Sequence, residues 1–198
     1  MEITNPRLSP IQSGRGQIQK IEKFIESKLD SLNWQHTLEV RNIALKLARL
    51  EKADKDIVEA AALFHDIGKI KGDDNHTPRS EEIARKYLES ESFNQNFIEE
   101  VVYCIAVHEY HWIGKANLIK TIEAQVLADA DTIQKLSPWG IIKHSIKYQE
   151  DFNKSYEEGI KKLWEKLMKC YNLILTKSGQ KEAEKGYKFV KDFFKDLL

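Results

Sequence analysis

The sequence predicts an all-α fold, built as a single-domain helical bundle. Through most of the 198 residues, apolar side chains recur every three or four positions, which is the period of an amphipathic helix. No segment shows the alternating pattern of a half-buried strand, and no repeat or linker separates two domains. We therefore expect an irregular N-terminal arm over residues 1–16 and one helical domain over residues 17–198.

The composition gives no reason to expect binding to nucleic acid or to a membrane. The 31 basic and 31 acidic residues balance, so bulk attraction to a polyanion is not predicted. No apolar run approaches the ~20 residues that span a bilayer, and the N-terminus lacks the apolar core of a signal peptide. Cys104 and Cys170 lie in apolar helical patterns, which favours a reducing, cytoplasmic location.

The first three helices are predicted over residues 17–29, 34–51 and 56–66. Asn33 can accept a hydrogen bond from the first turn of the second helix and so cap it. On that helix His36 shares a face with the apolar core positions, so its imidazole is expected to point inward. A buried histidine bonded to a backbone carbonyl would give the same pattern, and the residues alone leave both interpretations open.

His65 and Asp66 follow a run of small and apolar residues at the end of the third helix, and Gly68 is expected to let the chain leave that helix. An ionised carboxylate that is buried without a partner is costly, so it tends to neutralise or to pair with a cation. An adjacent imidazole is a donor that divalent transition metals accept. The dipeptide indicates a metal site at a helix end; a capping histidine and a turn-forming aspartate at the surface are the alternative.

Further helices follow, separated by polar turns. His108 and His111 lie three residues apart, so they share a helix face if the fifth helix continues through both. The C-terminal helical region is long and amphipathic and could pair two copies as a homodimer. A polar loop is predicted at 69–77, followed by a helix that Thr77 caps and that has Pro78 in its first turn. A further helix is predicted to begin at Asn94, and others to cover 121–136 and 143–175. After a turn at 177–180, the last helix is predicted to end near Leu197.

Two aspartates, Asp129 and Asp131, interrupt the otherwise apolar sixth helix. Residues two apart on a helix point about 200° away from each other, so the two carboxylates cannot bind one metal ion. The spacing alone leaves open which of the two faces a site in the core.

In chain order, His36, the His65-Asp66 pair and a later aspartate form a pattern that resembles the HD superfamily of metal-dependent phosphohydrolases. In that family a histidine, an adjacent His-Asp pair and a distant aspartate lie on separate helices. The matching segments here are 34–37, 63–69 and 130–133, and the similarity extends over about residues 20–195. The resemblance implies an HD-type helical bundle with a metal site between its core helices.

The resemblance also implies which residues bind the metal. Asp131 is preferred to Asp129 because the family's pattern is Ala-Asp followed two residues later by an aliphatic residue, which 130–133 fits. A mixed imidazole and carboxylate set suits Mn, Fe, Co, Ni or Zn, and the resemblance favours Mn or Fe; Mg stays an option. The expected ligands are His36, His65, Asp66 and Asp131.

Some family members that resemble this chain add histidines and bind a second ion. Asp66 would then bridge the two ions. His76 and His108 would complete the second site, with His111 as an optional further ligand. In the alternative with one ion, His76 lies in a solvated loop and His111 caps a helix. His144 is left outside both arrangements.

The activity that the resemblance implies is hydrolysis of a phosphate ester of a nucleotide or related small molecule. Water bound to the metal, with its pKa lowered to about 7, would attack the phosphorus atom. Asp66 could orient that water or take its proton, and Lys69 is expected to bind the substrate phosphate. Arg79 and Lys71 are further substrate-binding candidates, and each could instead be a solvated cation of the loop.

Two other functions stay open at this point. A nucleoside triphosphate pyrophosphohydrolase would use the same ligand set to break a different phosphate bond, and its products would distinguish it. The second is a non-catalytic helical module that binds nucleotide or metal. A module without catalytic function need not retain every metal ligand, so the complete ligand set argues against it.

Overall fold

The computed structural model describes residues 14–72 and 75–197, and these residues are helical with no strand. The all-α prediction is therefore confirmed. The short 3-10 segments are Ile67–Lys71, Tyr110–Ile113 and Ala116–Leu118. The α-helices are α1 (Arg15–Glu26), α2 (Ser31–Glu51), α3 (Lys55–Phe64), α4 (His76–Ser90), α5 (Gln95–Val107), α6 (Ile122–Gln134), α7 (Pro138–Lys147), α8 (Gln149–Lys154), α9 (Tyr156–Asn172) and α10 (Lys177–Phe194).

The centre of the bundle is formed by α2, α3 and α6. Helix α2 packs against both α3 and α6, and α3 also packs against α5. The run of three alanines at 60–62 is fully buried, and its small side chains let the neighbouring backbones approach α3 closely. Leu63 and Phe64 are fully buried as well, and burial of such a side chain contributes about 1.5–3 kcal/mol. The helices that carry the predicted metal ligands therefore meet inside the core.

The first two helices begin earlier than their sequence patterns suggest. Helix α1 begins at Arg15, inside the predicted arm of residues 1–16, and residues 1–13 of that arm lie outside the described residues. Asp30, not Asn33, caps α2, because its Oδ1 accepts from the backbone N of Asn33 at 2.9 Å. The predicted cap was wrong because Asp30 supplies a carboxylate one turn upstream, which suits a helix N-terminus at least as well as an amide.

The segment after Asp66 also differs from the prediction. Helix α3 ends at Phe64, and Gly68 lies inside the following 3-10 turn rather than ending an α-helix. A Cβ atom at Gly68 would lie 2.1 Å from the backbone oxygen of His76, so close packing, not helix termination, requires glycine there. Helix α4 begins at His76, before the predicted cap Thr77, and Asn75 precedes it with a φ of 53°.

The C-terminal region folds as several helices where one long amphipathic segment was expected over 143–175. The chain turns at Tyr148 and again at Ser155, so α7, α8 and α9 pack beside one another. The predicted turn at 177–180 is instead the first turn of α10, capped by Thr176, whose Oγ1 accepts from the backbone N of Gly179. Across the described ranges, no helix combines the length and apolar character that crossing a bilayer requires.

Candidate metal centre

His36 on α2 is held by a chain of side chains that fixes which ring nitrogen carries the proton. Nε2 of Gln134 donates to Oε2 of Glu39 at 2.9 Å, so Oε1 of Gln134 faces His36. Nδ1 of His36 lies 2.9 Å from that oxygen and must be the donor in a neutral ring. In that tautomer, Nε2 of His36 directs its lone pair into the site.

His65 and His108 are oriented in the same way, each by a carbonyl of its own helix. Nδ1 of His65 lies 2.8 Å from the oxygen of Ala62, and Nδ1 of His108 lies 2.7 Å from the oxygen of Ile105. Both histidines follow the last residue of a helix, where the final carbonyls have no intrahelical partner. Burial lowers the pKa of His65 to about 3, so its imidazole is neutral at physiological pH.

Asp66 and Asp131 each pair with a lysine three or four residues further along the chain. Nζ of Lys69 contacts Oδ2 of Asp66, and Nζ of Lys135 lies 2.6 Å from Oδ2 of Asp131. Burial raises the pKa of both carboxyl groups. The two ammonium groups and the nearby histidines outweigh that effect and hold both pKa values well below the usual range. Both carboxylates are therefore ionised at neutral pH although they are buried.

Four acceptor atoms converge at the centre of these side chains. Nε2 of His36 lies 3.3 Å from Nε2 of His65. It also lies 3.3 Å from Oδ2 of Asp66 and 3.3 Å from Oδ1 of Asp131. When both rings are neutral, with Nδ1 as the donor in each, no proton lies between these atoms, and a cation would join their lone pairs. Neutral imidazoles and ionised carboxylates are the forms that bind metal, so the donor set fits a divalent ion.

A second group of ligand atoms shares Asp66. Oδ1 of Asp66 lies 3.3 Å from Nε2 of His76, while Oδ2 lies 3.3 Å from Nε2 of His36. His108 completes this second group, whose ligand atoms all lie within 4.8 Å of one another. The two oxygens of Asp66 thus face two different sets of imidazoles.

His111 lies next to these groups but in neither of them. Helix α5 ends at Val107, so His108 and His111 do not share a helix face. Nε2 of His111 lies 2.8 Å from Oγ1 of Thr132, the residue that follows Asp131. Burial lowers the pKa of His111 to about 4, so its ring is neutral. Its role as a metal ligand stays a prediction, and the observed contact is to α6.

Asp129 points to the opposite side of α6 from Asp131. Its carboxylate accepts from the backbone N of Leu175 at 2.7 Å and from that of Thr176 at 2.8 Å. Oγ1 of Thr176 donates to it at 2.6 Å. Burial raises the pKa of Asp129 to about 6 against these hydrogen bonds. The two aspartates therefore have different surroundings: Asp129 joins α6 to the start of α10, and Asp131 faces His36.

A cavity of about 460 Å³ opens onto this centre. Among the residues that the structure describes, five lysines and three carboxylates line it, so this part of its wall is rich in positive charge although the chain as a whole is neutral. Sequence reasoning singled out Lys69 alone among these lysines. It left His144 outside the metal ligands, and His144 lies in neither group of possible ligands but lines the cavity. The charged and imidazole side chains of the lining that it did not assign to the site are Glu109, Lys135, Lys143, His144, Lys147 and Lys166.

Arg79, predicted as a substrate-binding residue, contacts backbone oxygens instead of lining the cavity. Its Nε donates to the oxygen of Gly68 at 2.9 Å, and a terminal nitrogen donates to the oxygen of Gly72. The guanidinium thereby holds the 3-10 turn that carries Lys69. Lys71 is exposed at the end of that turn. Substrate binding by Arg79 stays a prediction, and its observed contacts support the segment after Asp66.

Comparison with known proteins gives a consistent result. A model of the HD domain matches residues 33–136, more than half of the chain. The uncharacterized protein YpgQ of Bacillus subtilis (strain 168) is 24% identical over 181 residues, which cover 89% of this chain and 88% of that protein. A structure of YpgQ in complex with ADP has a TM-score of 0.73 at 22% identity, with 92% of this chain and 93% of that chain covered. An HD-superfamily hydrolase from Bacillus thuringiensis has a TM-score of 0.70 at 21% identity, covering 92% and 95%.

Proposed function

The chain belongs to the HD domain family, and from that premise we propose that it is a metal-dependent phosphohydrolase. The proposed substrate is a phosphate ester of a nucleotide or a related small molecule. Proposed ligands of the first ion are His36, His65 and Asp131, together with Asp66, whose Oδ2 lies 3.3 Å from Nε2 of His36; those of a second ion are Asp66, His76 and His108. Mn or Fe is the proposed metal, since imidazole and carboxylate together suit both.

One observation carries the proposal: Nε2 of His36 lies 3.3 Å from Nε2 of His65 and from one carboxylate oxygen of each of Asp66 and Asp131. Gln134 accepts from Nδ1 of His36, so in the neutral ring the lone pair of Nε2 faces these atoms. A divalent cation would bind all four atoms in these forms. The neighbouring cavity then supplies room for a substrate beside that cation.

When bound, the metal activates water for attack on a phosphorus atom. The chain's own residues supply the remaining chemistry. Asp66 is ionised and buried, and its carboxylate can orient the attacking water and receive its proton. Lys69 lies against Asp66 and lines the cavity, so its ammonium group can offset the charge that develops on the phosphoryl oxygens.

Two observations support a nucleotide as the substrate. The cavity walls are rich in lysine, which suits the negative charge of phosphates. The similar protein YpgQ has been solved in complex with ADP. The cytoplasmic location and the pairing of two copies through the C-terminal helices stay predictions.

The test combines metal analysis with a substrate panel. Purified protein is analysed for metal content, reloaded with Mn²⁺ or Fe²⁺, and incubated with nucleoside mono-, di- and triphosphates. We expect release of inorganic phosphate that requires metal and is lost in Asp66→Ala together with the metal. Release of pyrophosphate would instead identify a pyrophosphohydrolase. Metal-loaded protein that turns over no phosphate ester would refute the proposal and favour a non-catalytic binding module.

A further inference from the structure

Two lysines on the cavity wall lack a carboxylate partner within residues 14–72 and 75–197. Lys143 lies on α7, and its Nζ is buried and makes no hydrogen bond to those residues. Lys166 lies on α9, and its Nζ rests on the ring of Trp112, 3.4 Å from the centroid. Both line the cavity that Asp66 and Asp131 also line. Burying an ammonium group without counter-charge is costly, so Lys143 is placed to meet an anion, and the half-buried Lys166 faces the same cavity.

His144 on α7 adds a third group without a partner. Its side chain is 8% exposed, and its Nδ1 is buried with no hydrogen-bond partner in the described part of the chain. Burial, with the nearby lysines, lowers the pKa of His144 to about 2, so the ring is neutral and can donate one hydrogen bond. Folded proteins rarely leave such atoms unsatisfied, which points to a ligand; in the tautomer with the proton on Nδ1, an oxygen of that ligand would accept from it.

These three groups are separate from the two sets of metal ligands. The metal centre already has its own cations, because Lys69 contacts Asp66 and Lys135 contacts Asp131. Lys143 and Lys166 therefore add positive charge beyond what the carboxylates of the centre require. Lys143 and Lys166 line the same cavity of about 460 Å³ as Asp66 and Asp131, so one substrate in that cavity could contact the lysines and the metal centre together.

We propose that Lys143, His144 and Lys166 form a second phosphate subsite, which binds the phosphate next to the one attacked at the metal centre. The ligand class is a compound with two or more linked phosphates, such as a nucleoside di- or triphosphate. A phosphate group has enough oxygens to accept from two ammonium groups and one imidazole. This inference rests on the proposed function, because it takes the attacked phosphate to lie at the metal ligands.

Trp112 positions Lys166 for this role. The indole face attracts the ammonium group but is a weaker partner than a phosphate, so Lys166 can exchange the ring for the ligand. Lys135 and Lys169 also approach the same ring, with Nζ at 5.6 Å and 5.7 Å from its centroid. The ring therefore lies within a cluster of like charges, which a bound anion would relieve.

The experiment measures binding with probes that cannot be hydrolysed. Manganese-loaded protein is titrated calorimetrically with methylenediphosphonate and with methylphosphonate. The variants are Lys143→Met and Lys166→Met; Lys143→Arg keeps the charge, and Lys161→Met removes the same charge from the exposed face of α9. Each Met variant at the subsite should weaken diphosphonate binding about tenfold or more and monophosphonate binding less than about twofold. Lys143→Arg should retain most of the affinity, and Lys161→Met should match the wild type.

Either of two results would overturn the subsite. One is equal weakening of both probes, which would make the lysines a general source of charge. The other is no weakening in either Met variant while circular dichroism shows the native fold. A separate outcome concerns the proposed reaction: if the lysine-dependent preference for diphosphonate holds but no nucleotide is hydrolysed, the hydrolase proposal fails and the subsite stands.

Discussion

Gln134 on α6 and His36 on α2 are joined by a 2.9 Å contact between the amide Oε1 and the ring Nδ1. Because this contact fixes the tautomer of His36, Gln134→Met should weaken metal binding about 10- to 100-fold without removing a ligand. A competition titration with a chromophoric chelator measures the affinity. Gln125→Met on the same helix also removes one side-chain hydrogen bond, to Ile119, and should leave metal binding unchanged. Equal affinities in the two variants would contradict the role of Gln134.

Asp131 and Asp129 make a matched pair on one helix. Asp131→Asn should lose metal, because its carboxylate faces His36. Asp129→Asn should keep metal but unfold more easily, by about 1–3 kcal/mol, since the amide presents a donor to the N–H and O–H groups of Thr176. Metal content by elemental analysis and urea unfolding distinguish the two effects. If Asp129→Asn lost metal while Asp131→Asn kept it, the assignment of the ligand would be reversed.

Lys69→Met should retain metal and lose activity. The variant removes the ammonium group beside Asp66 but no ligand atom, so stoichiometry at neutral pH should not change. We expect kcat/KM to fall at least tenfold, which corresponds to about 1.4 kcal/mol of transition-state stabilisation. Lys71→Met, at the exposed end of the same turn, is the control and should retain activity. Loss of metal in Lys69→Met would show that Lys69 supports the ligands instead.

Substrate binding should weaken as the pH rises above about 8. Burial lowers the pKa of Lys143 to about 8 and that of Lys166 to about 8, so both lose their charge in this range. Asp66 and Asp131 ionise far below it and do not contribute. KM should therefore increase between about pH 7 and about pH 9. The double variant Lys143→Arg with Lys166→Arg stays charged and should show a flatter profile; an identical profile would assign the change to other groups.

Gly68→Ala should damage both the fold and the second group of ligands. The added Cβ would lie 2.1 Å from the backbone oxygen of His76, so the turn and the start of α4 must separate. We expect a loss of about 1–3 kcal/mol in the free energy of unfolding and a lower metal stoichiometry. Gly16→Ala in α1 has nothing within 4 Å of its new Cβ and should be neutral or stabilising. A stable Gly68→Ala protein with full metal would contradict this packing argument.

The helical pattern predicted the fold class because most helices bury one stripe, as α9 does with Leu163 and Leu167. The order His36, His65-Asp66, Asp131 indicated the centre because His36 and Asp131 interrupt buried faces of core helices and His65-Asp66 directly follows the buried end of α3. Helix limits were less predictable. Several residues near a helix start can each cap it, and only packing selects Asp30 over Asn33.

The cavity wall could not be predicted in the same way. The chain contains 31 lysines and arginines, and nothing in the pattern of 143–175 marks Lys143 or Lys166 as different from the exposed Lys161. Their placement depends on the turns at Tyr148 and Ser155, which fold α7 and α9 against the cavity. Arg79 shows the reverse case. Its positive charge suggested that it binds substrate, but its guanidinium group donates to two backbone oxygens.

The carboxylate of Asp129 has a consequence for biosynthesis. It is anchored by backbone groups 46 and 47 residues later in the chain, so the helix that presents Asp131 gains this support only after Thr176 has been made. A nascent chain that has emerged only through α9 would already hold every imidazole of the centre, with α6 able to pack against α2, α3 and α5. The hydrogen bonds of Asp129 are therefore expected to be among the last contacts of α6 to form, after the start of α10 has been made.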